Sequence, residues 1–337
     1  DSARHDLRPA RTNRPDAAVM RALGSDPDLH RLHHDLHRVQ PSQRMGARVA
    51  GIGADTREVV FCRDTRGLGD AIMMESCVTE VVLQVEEQVR DEVKPTLYVS
   101  PSVACVYAQH PLEPDILPLS MFDLAKYNER GDVALFDLST ACAEYETRFM
   151  PKVRMGRPQI WTEHCGFEWR GRAPKLYLSD KDRERADDYA RHTIHGDDGQ
   201  GFPVIGVGYR SVERWRDYPY MNTLVTMLAE ETDGTVLVFD NRNVAASFPP
   251  NVHVDTGLTT RDLLIMTSLV DVMVTVDTAQ AHIAGALGRP IYAIYGPTDA
   301  SIRLDDYGVP YEAPPEFKAC GRQPCWYKPC EQRWCLK

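Results

Sequence analysis

Short apolar runs alternate with helical stretches over most of the chain, and this alternation restricts the fold more than any other feature of the sequence. The runs begin near Glu58, are bounded by Gly, Pro or Asp, and in several cases contain no polar alternation. Strands covered on both faces of a parallel sheet show this pattern. The predicted strands are 59–62, 97–100, 133–138, 204–207, 236–239, 272–276 and 291–294, and the predicted helices between them include 70–88, 219–231, 260–269 and 278–287. The chain is therefore predicted to be an α/β protein with parallel sheets.

The alternation occurs in two series, one over about 57–150 and one over about 202–300. A charged, glycine-containing segment separates them, and we place the division near residue 198. The predicted domains are an extension over 1–50, a first Rossmann-like domain over 51–198, a second over 199–312, and a cysteine-rich segment over 313–337. Ligands of such sheets bind at the carboxyl ends of the strands, so a cleft between the two domains is expected.

Composition excludes several classes of protein. The chain has 49 acidic and 39 basic residues among 337, a net charge of −10, which argues against general nucleic-acid binding. The longest stretch without charges, 95–112, contains two prolines and polar residues, so no membrane span is expected. Residues 1–40 are charged throughout and lack an apolar core, so no signal peptide is expected there. Five cysteines are scattered, as is usual for free thiols in a reducing compartment, so we expect a cytoplasmic protein.

Residues 1–50 differ in composition from the rest of the chain. They contain nine Arg, six Asp and five of the eleven His, and they carry no Lys or Glu. Two short helices are predicted there, over 16–23 and 27–37. A loosely docked, solvated extension is one interpretation, and an arm for self-association or acceptor docking is the other, so the formation of a homo-oligomer stays open.

The first candidate site is the segment from Arg66 to Ile72, which follows the first predicted strand and opens a helix. Gly67 and Gly69 allow backbone to approach a ligand closely, and exposed amides at a helix start suit an anion. A third glycine is missing, so this is not a dinucleotide-binding fingerprint. Asp70 could be an N-terminal helix charge or a general base that takes a proton from a substrate hydroxyl, and spacing leaves both roles open.

The second candidate site is the junction of the predicted strand 272–276 with the next helix. Asp277 ends the strand and Thr278 is a predicted N-cap, so the free amides of the following turn face the strand ends. Such a turn suits a phosphate or diphosphate. His282 lies one turn beyond Thr278 on the same helix face, so both could reach one ligand, although a buried core histidine is the alternative.

These motifs resemble those of glycosyltransferase family 9. The stretches that resemble the donor-site signature of this family are 277–284 (DTAQAHIA), 286–290 (ALGRP) and 295–299 (YGPTD). Gly67 to Asp70 is similar to the N-terminal motif of the family, and Arg214 with Trp215 is similar to its basic-Trp element. The resemblance covers about residues 58–335. The family comprises ADP-heptose transferases that build the lipopolysaccharide core, together with relatives that glycosylate proteins.

The resemblance implies a GT-B architecture, in which two Rossmann-like domains face each other across a central cleft. The acceptor would bind on the N-terminal side and the nucleotide-sugar on the C-terminal side. It further implies inverting transfer of a sugar, heptose from ADP-heptose in the first instance, to a hydroxyl of a saccharide or protein, without a catalytic metal. Asp70 matches the catalytic base of the family.

On the donor side, the leaving diphosphate needs helix amides and a basic side chain. The residues predicted to hold the donor are Gly67, Gly69, Arg210, Arg214, Asp240, Asp277, Thr278, Ala279, Gln280 and His282. Glu213 stands where the family usually has Lys, and Arg214 or Arg210 could take that role, because an arginine fork also holds phosphate oxygens. Ala279 replaces a common glycine. Asp240 follows a strand and could meet a ribose hydroxyl, though a plain strand-end aspartate is equally compatible.

The third candidate site is the C-terminal series Cys320, Cys325, Cys330 and Cys335. Four thiolates in so short a segment fit a tetrahedral structural site for Zn or Fe, and two disulfides or free thiols are the alternatives. Many members of the family carry a similar cysteine-rich segment, and in some protein-modifying relatives it binds iron.

Two other functions compete with sugar transfer. A Rossmann-type nucleotide-sugar oxidoreductase would need a complete glycine fingerprint and a catalytic Tyr–Lys pair, which the sequence does not show. A non-catalytic, metal-containing binding or assembly module would explain the cysteine cluster, but it would leave Asp70 and the 277–282 turn without a role.

Overall fold

The computed structural model of the protein describes residues 52–194, 203–240, 242, 244, 246–314, 323 and 325. Residues 1–50 and most of the cysteine-rich segment, each the subject of a prediction, lie outside the described residues.

The first half is built on a sheet of four parallel strands in the order β3-β2-β1-β4. The strands are β1 (Glu58–Cys62), β2 (Lys94–Val99), β3 (Asp115–Pro118) and β4 (Val133–Asp137). The helices are α1 (Leu68–Val89), α2 (Ala125–Asn128), α3 (Ala141–Phe149) and α4 (Arg157–His164), with 3₁₀ turns at Pro101–Tyr107 and Leu119–Met121. The strand order reverses direction between β1 and β4, where ligands of such sheets bind.

The second half has six parallel strands in the order β10-β9-β8-β5-β6-β7. The strands are β5 (Val204–Gly208), β6 (Thr235–Asp240), β7 (Val252–Thr256), β8 (Val272–Val276), β9 (Ile291–Ile294) and β10 (Tyr311–Glu312). The helices are α5 (Asp180–Tyr189), α6 (Met221–Glu231), α7 (Thr260–Thr267), α8 (Ala279–Ala286) and α9 (Ala300–Leu304), with a π turn at Ala190–Ile194 and 3₁₀ turns at Arg214–Arg216 and Asp305–Tyr307. This is the Rossmann strand order, and its switch point lies between β5 and β8.

All seven predicted strands and all four named helices are present, so the prediction of an α/β fold with parallel sheets is confirmed. The three strands that the apolar pattern missed, β3, β7 and β10, all lie at sheet edges. An edge strand has one neighbour and more solvent, so its composition need not be apolar. In β7, for example, His253 and Asp255 interrupt the valines.

Helix α1 lies between the two halves of the molecule. Nearly every residue from Ala71 to Val82 is buried, although the helix contains Glu75 and Glu80. The helix packs on α4 and on the 3₁₀ turn at Pro101–Tyr107, and its start packs on α8 of the second half. A helix that is buried on all sides is expected to be apolar, so each buried acid must have a partner.

Those partners come mainly from residues 166–178, which we call the strap. The carboxylate of Glu75 accepts from the Lys175 backbone N–H (2.8 Å) and from His110 Nε2 (2.9 Å), and Glu80 pairs with Arg172 (3.1 Å). At its far end the strap contacts the second half, where Leu176 N–H donates to the Ala286 carbonyl (3.3 Å). The strap is therefore fastened to both halves.

Helix α5 follows the strap and precedes the predicted division near residue 198. It nevertheless packs against α7 of the second half, where Arg261 Nη2 lies 2.5 Å from Asp182 Oδ2. Ser179 caps α5 through the Asp182 backbone N–H, and the Asp182 side chain returns a bond to the Ser179 N–H. The domain boundaries as a whole stay a prediction.

Candidate active site at the facing strand ends

The turn after β1 carries Asp70 at the third position of α1. Gly67 is the N-cap and makes no side-chain cap, so the helix start is open. Asp70 does not act as a simple helix charge, because both of its carboxylate oxygens are held by guanidinium groups. Arg63 Nη2 donates to Oδ2 at 3.1 Å, and Arg157 Nη1 donates to Oδ1. The side chain is 21% exposed, so a further ligand can reach it.

Arg157 connects Asp70 to a second carboxylate. It also donates to Glu146 on α3, through Nε to Oε1 (2.9 Å) and Nη2 to Oε2 (3.0 Å). From the second half, Arg303 donates to Glu146 Oε1 at 3.1 Å while being only 4% exposed. Three arginines thus surround two carboxylates, which leaves an excess of one positive charge beside Asp70.

This network controls the protonation of Asp70. Burial alone would raise the pKa of the Asp70 carboxyl, but the charges of Arg157, Arg63 and Arg303 outweigh it and hold the pKa well below its ordinary value. Glu146 shows the same balance, with its pKa lowered against burial by Arg157 and Arg303. Asp70 is therefore ionised at every physiological pH.

Arg63 is a functional residue that the sequence motifs did not reveal. Its guanidinium lies 4.1 Å from the centre of the Trp161 ring, and its side chain is only 7% exposed. Within the described part of the chain its Nε and Nη1 have no hydrogen-bond partner, so Nη2 to Asp70 is its one polar contact. The sequence signal was an arginine directly after β1, and only the fold shows that it points toward Asp70.

The donor side has a cleft at the carboxyl ends of β5, β6, β7 and β8. Its empty volume, which includes space open to solvent, is about 630 Å³. The residues that line it are Arg210, Val212, Phe239, Asp240, Asp255, Leu258, Leu263, Thr278, Ala279 and Gln280. Five of the residues predicted to hold the donor, Arg210, Asp240, Thr278, Ala279 and Gln280, are brought together there.

The start of α8 forms one wall of this cleft. Thr278 occupies the N-cap position with extended backbone, as predicted, but its hydroxyl donates to Gln280 Oε1 (2.9 Å) and does not cap the helix. The first amides of α8 have no partner within the helix and remain available to an anion. Gly208, at the end of β5, lets Thr275 and the start of α8 lie close to this strand. A Cβ at position 208 would collide with Thr275 and touch Gln280.

Asp277 has a supporting position next to this turn. Its Oδ2 accepts from the Thr298 hydroxyl at 2.5 Å, and its backbone carbonyl accepts from the Ser211 hydroxyl at 3.1 Å. The residue is 5% exposed, so it ties the end of β8 to two loops. Its predicted contact with the donor stays a prediction.

Asp240 and Arg210 form a close pair on the floor of the cleft. Arg210 Nε lies 2.5 Å from Asp240 Oδ2, and the backbone N–H of Arg242 donates to Oδ1 at 2.9 Å. The Asp240 side chain is 1% exposed, whereas Arg210 is 26% exposed. Asp240 thus orients Arg210 toward the cleft. Its predicted contact with a ribose hydroxyl stays a prediction.

The two arginines beside Trp215 occupy different places. Arg214 is exposed and is not among the residues that line the cleft. Arg216, which the sequence analysis did not single out, is 20% exposed and lies 3.5 Å from Asp277 Oδ2. Glu213, which stands where the family usually has Lys, accepts from Trp215 Nε1 at 3.0 Å. The basic groups nearest the α8 turn are therefore Arg210 and Arg216.

His282 lies between the two candidate turns. A Cβ built on Gly69 would lie 2.5 Å from His282 Cδ2, so the imidazole packs directly on the turn that carries Asp70. Its Nδ1 is 2.9 Å from the Tyr307 hydroxyl, and the residue is 5% exposed. Burial lowers the pKa of His282 to about 4, against the opposing charge of Asp277, so the ring is neutral at pH 7. Contact with a bound donor stays a prediction.

The cysteine predictions fall partly outside the described residues. Cys320, Cys330 and Cys335 lie there, and Cys325 is half-buried. Within the described ranges no group of three or more His, Cys, Asp or Glu is arranged to hold a metal ion. The five scattered cysteines, Cys62, Cys77, Cys105, Cys142 and Cys165, are unbridged, and four of them are buried.

The search for membrane spans gave a negative result. Among the described residues, no helix combines the length and the apolar character needed to cross a bilayer.

Comparison with known proteins agrees with this geometry. A family model described as glycosyltransferase family 9 (heptosyltransferase) matches residues 229–311, from the end of α6 to β10. This segment contains the α8 turn and most of the cleft lining. No curated protein sequence matches the chain.

Three of the solved structures that this chain resembles are described as glycosyltransferases. A family 9 glycosyl transferase from Veillonella parvula DSM 2008 has a TM-score of 0.59 at 14% identity, and the match covers 79% of this chain and 87% of that one. The ADP-heptose lps heptosyltransferase II of E. coli has a TM-score of 0.52 at 13% identity, over 72% and 86% of the two chains. The iron-containing dodecameric glycosyltransferase TibC from enterotoxigenic E. coli H10407 has a TM-score of 0.50 at 11% identity, over 80% and 71%.

At these identities the solved structures establish the fold, and the family model adds the donor-side segment. The resemblance predicted from the motifs is therefore confirmed, and the chain is a glycosyltransferase similar to the heptosyltransferases of family 9.

Proposed function

We propose that this protein is an inverting glycosyltransferase that moves heptose from ADP-heptose to a hydroxyl of a saccharide or protein acceptor. The observation that carries the proposal is the contact between Gly69 and His282. It joins the turn that bears Asp70 to the helix whose first amides line the donor cleft. A carboxylate and an anion-binding turn thus meet at facing strand ends, as displacement at an anomeric carbon requires.

Asp70 would act as the general base. The acceptor oxygen attacks the anomeric carbon from the face opposite the diphosphate, and Asp70 receives the hydroxyl proton as the new C–O bond forms. Arg63 and Arg157 keep the carboxylate ionised but also make it a weak base. Transfer of the proton would therefore be late, when the attacking oxygen has become acidic through bond formation.

The donor side would stabilise the leaving group. The sugar–oxygen bond breaks with its electron pair on the diphosphate, whose growing negative charge meets the amides of Ala279 and Gln280 and the guanidinium of Arg210. Both kinds of donor line the same cleft. Arg210 is held in place by the buried Asp240, so it needs little reorganisation when the diphosphate departs.

Identity of the donor as ADP-heptose is supported by the description of the family model and by the E. coli enzyme named above. The cleft is open to solvent at one side, so a ligand can extend beyond its lining residues.

The test is Asp70→Asn, which keeps the shape of the side chain and removes the base. We expect ADP release from ADP-heptose, measured with a panel of saccharide and protein acceptors, to fall by about 10²–10⁴-fold. ADP affinity should change little. Asp64→Asn is the matched control, because Asp64 lies in the same turn but is exposed. Turnover of Asp70→Asn near that of the control would refute Asp70 as the base.

The proposal also includes a structural Zn or Fe ion held by Cys320, Cys325, Cys330 and Cys335. Four thiolates form a complete tetrahedral donor set, so the ion would have no open position and would serve folding rather than transfer. Metal analysis of the purified chain should find about one ion per chain, and Cys330→Ser should lose it along with thermal stability. The same metal content in Cys330→Ser would refute the site.

A cytoplasmic location belongs to the same proposal. It is supported by the five scattered cysteines, which the described part of the chain leaves unbridged.

A further inference from the structure

The donor cleft changes character from one end to the other. Near β5 and β8 its lining is polar, with Arg210 and the start of α8. Toward β7 it is formed by Phe239, Leu258 and Leu263, and one carboxylate, Asp255, stands among them. The second carboxylate of the lining, Asp240, is already occupied by Arg210 and Arg242, so Asp255 is the acceptor that the apolar end presents. An apolar surface with one acceptor is suited to a heterocyclic base rather than to a phosphate or a sugar.

Asp255 is held in a fixed orientation by a residue from another element. The hydroxyl of Tyr189, near the end of α5, donates to Asp255 Oδ2 at 2.7 Å. Burial and the neighbouring carboxylate both raise the pKa of Tyr189 above its ordinary value, so the hydroxyl stays protonated and keeps donating. No other described residue donates to Asp255, so Oδ1 is available to a ligand.

Strand order sets the distance between this carboxylate and the α8 turn. Asp255 ends β7 and Thr278 follows β8, and the sheet places β5 and β6 between them. Three inter-strand spacings of about 4.8 Å give a separation of roughly 14 Å. An extended nucleoside diphosphate spans such a distance, with its phosphates at α8, its ribose above β5 and β6, and its base at β7.

The geometry points to Asp255 as the residue that selects the donor base, by accepting a hydrogen bond from the exocyclic amino group of adenine. This inference rests on the proposed function. A base without that amino group would leave a carboxylate oxygen desolvated and unpaired, and a site built around such a bond discriminates strongly against ligands that lack it.

The experiment compares ADP with purine riboside 5′-diphosphate, which is ADP without its amino group. Calorimetry gives the dissociation constant of each ligand for the wild-type chain and for Asp255→Asn. The wild type should bind ADP about tenfold to a hundredfold more tightly than the analogue, the range expected for a hydrogen bond to a charged group. Asp255→Asn should bring the two constants within about threefold of each other, because the Tyr189 hydroxyl would donate to the amide oxygen and leave only the N–H₂ group, which cannot accept, toward the amino group.

Two further variants distinguish recognition of the base from recognition of the phosphates. Tyr189→Phe releases the carboxylate without removing it, so the preference for ADP should shrink by less than in Asp255→Asn. Arg210→Gln should weaken both ligands by the same factor and keep their ratio. Asp188→Asn is the matched control for charge, because Asp188 precedes Tyr189 on α5 and is 62% exposed. In this variant the ratio of the two dissociation constants should equal that of the wild type.

The possible outcomes are distinct. A preference for ADP that survives in Asp255→Asn would overturn the inference, and so would a wild type that binds both ligands equally. If Asp255→Asn weakened both ligands alike but left 2′-deoxy-ADP unaffected, Asp255 would contact the ribose instead, which also overturns it. If no nucleotide bound the wild type, the proposed donor site would fail together with the inference.

Discussion

In the first half, Asp70 is held directly by two arginines, one of which links it to Glu146 and so to Arg303, whereas in the second half the proposed anion site is made largely of backbone at the start of α8. The first arrangement joins Arg63, Arg157, Glu146 and Arg303 to Asp70 through charged contacts. The second needs only a strand that ends, a turn and the first amides of a helix. Charged side chains can tune the pKa of a catalytic group, while backbone amides offer a fixed positive field.

Substitutions in the charged network and in the backbone site should change the stability of the fold by different amounts. Removing one member of a buried charge network takes charged hydrogen bonds from its partners, so the cost falls on the stability of the fold. Removing a side chain from a backbone site should affect the fold much less.

The largest effect is expected for Arg157→Leu. It leaves Asp70 with Arg63 and Glu146 with Arg303 as their remaining partners. Loss of hydrogen bonds to charged groups costs about 1.5–3 kcal/mol of unfolding free energy each. Urea denaturation measures this loss. Arg183→Leu is the control, because Arg183 forms an exposed pair with Asp180 and should have little effect. Equal stabilities of the two variants would show that the Asp70 network does not support the fold.

His282 offers an intermediate effect that depends on pH. Its native pKa is about 4 and its unfolded pKa is about 6.5, so the unfolded chain binds a proton first as the pH falls. The native state should lose about 2 kcal/mol of stability from this group between pH 7.5 and pH 5, with most of the remaining loss occurring as the pH approaches 4. His282→Gln should lack this component of the pH dependence. Parallel curves for the two proteins, from urea denaturation at both pH values, would contradict the buried neutral ring.

The smallest expected effect is a difference in unfolding free energy between alanine variants of two threonines at helix starts. Thr259 caps α7 by accepting from the Asp262 backbone N–H at 3.2 Å, whereas the hydroxyl of Thr278 donates to Gln280 and leaves α8 uncapped. Thr259→Ala should therefore lose about 1 kcal/mol of unfolding free energy, and Thr278→Ala clearly less. The reverse order in thermal or urea denaturation would mean that Thr278 does cap α8, and that fewer amides are free for a diphosphate.

The same contrast explains how far the sequence could predict the molecule. The α8 turn, Thr278 at its N-cap position and the central strands follow from local patterns, because their geometry depends on neighbouring residues. The missed strands lie at sheet edges, where burial no longer imposes an apolar composition.

The Asp70 network could not be predicted, since Arg63 and Arg157 belong to segments far apart in the chain and carry no motif. The sequence motif pointed to Arg214, which precedes Trp215, and only the fold shows that Arg216 on its other side lies against Asp277. Asp255 was overlooked because β7 is an edge strand that the apolar pattern does not reveal.

The close approach of Gly69 to His282 has a consequence for the reaction rate. Two halves that meet in solution only after substrate binding must give up rotational freedom in every catalytic cycle. Here the turn that carries Asp70 and the helix α8 are already in van der Waals contact, so that freedom is lost once, when the chain folds. A side chain at position 69 would collide with the His282 imidazole, and if the two turns separated to relieve the collision, the barrier to the proposed transfer would include the entropy of bringing them together again.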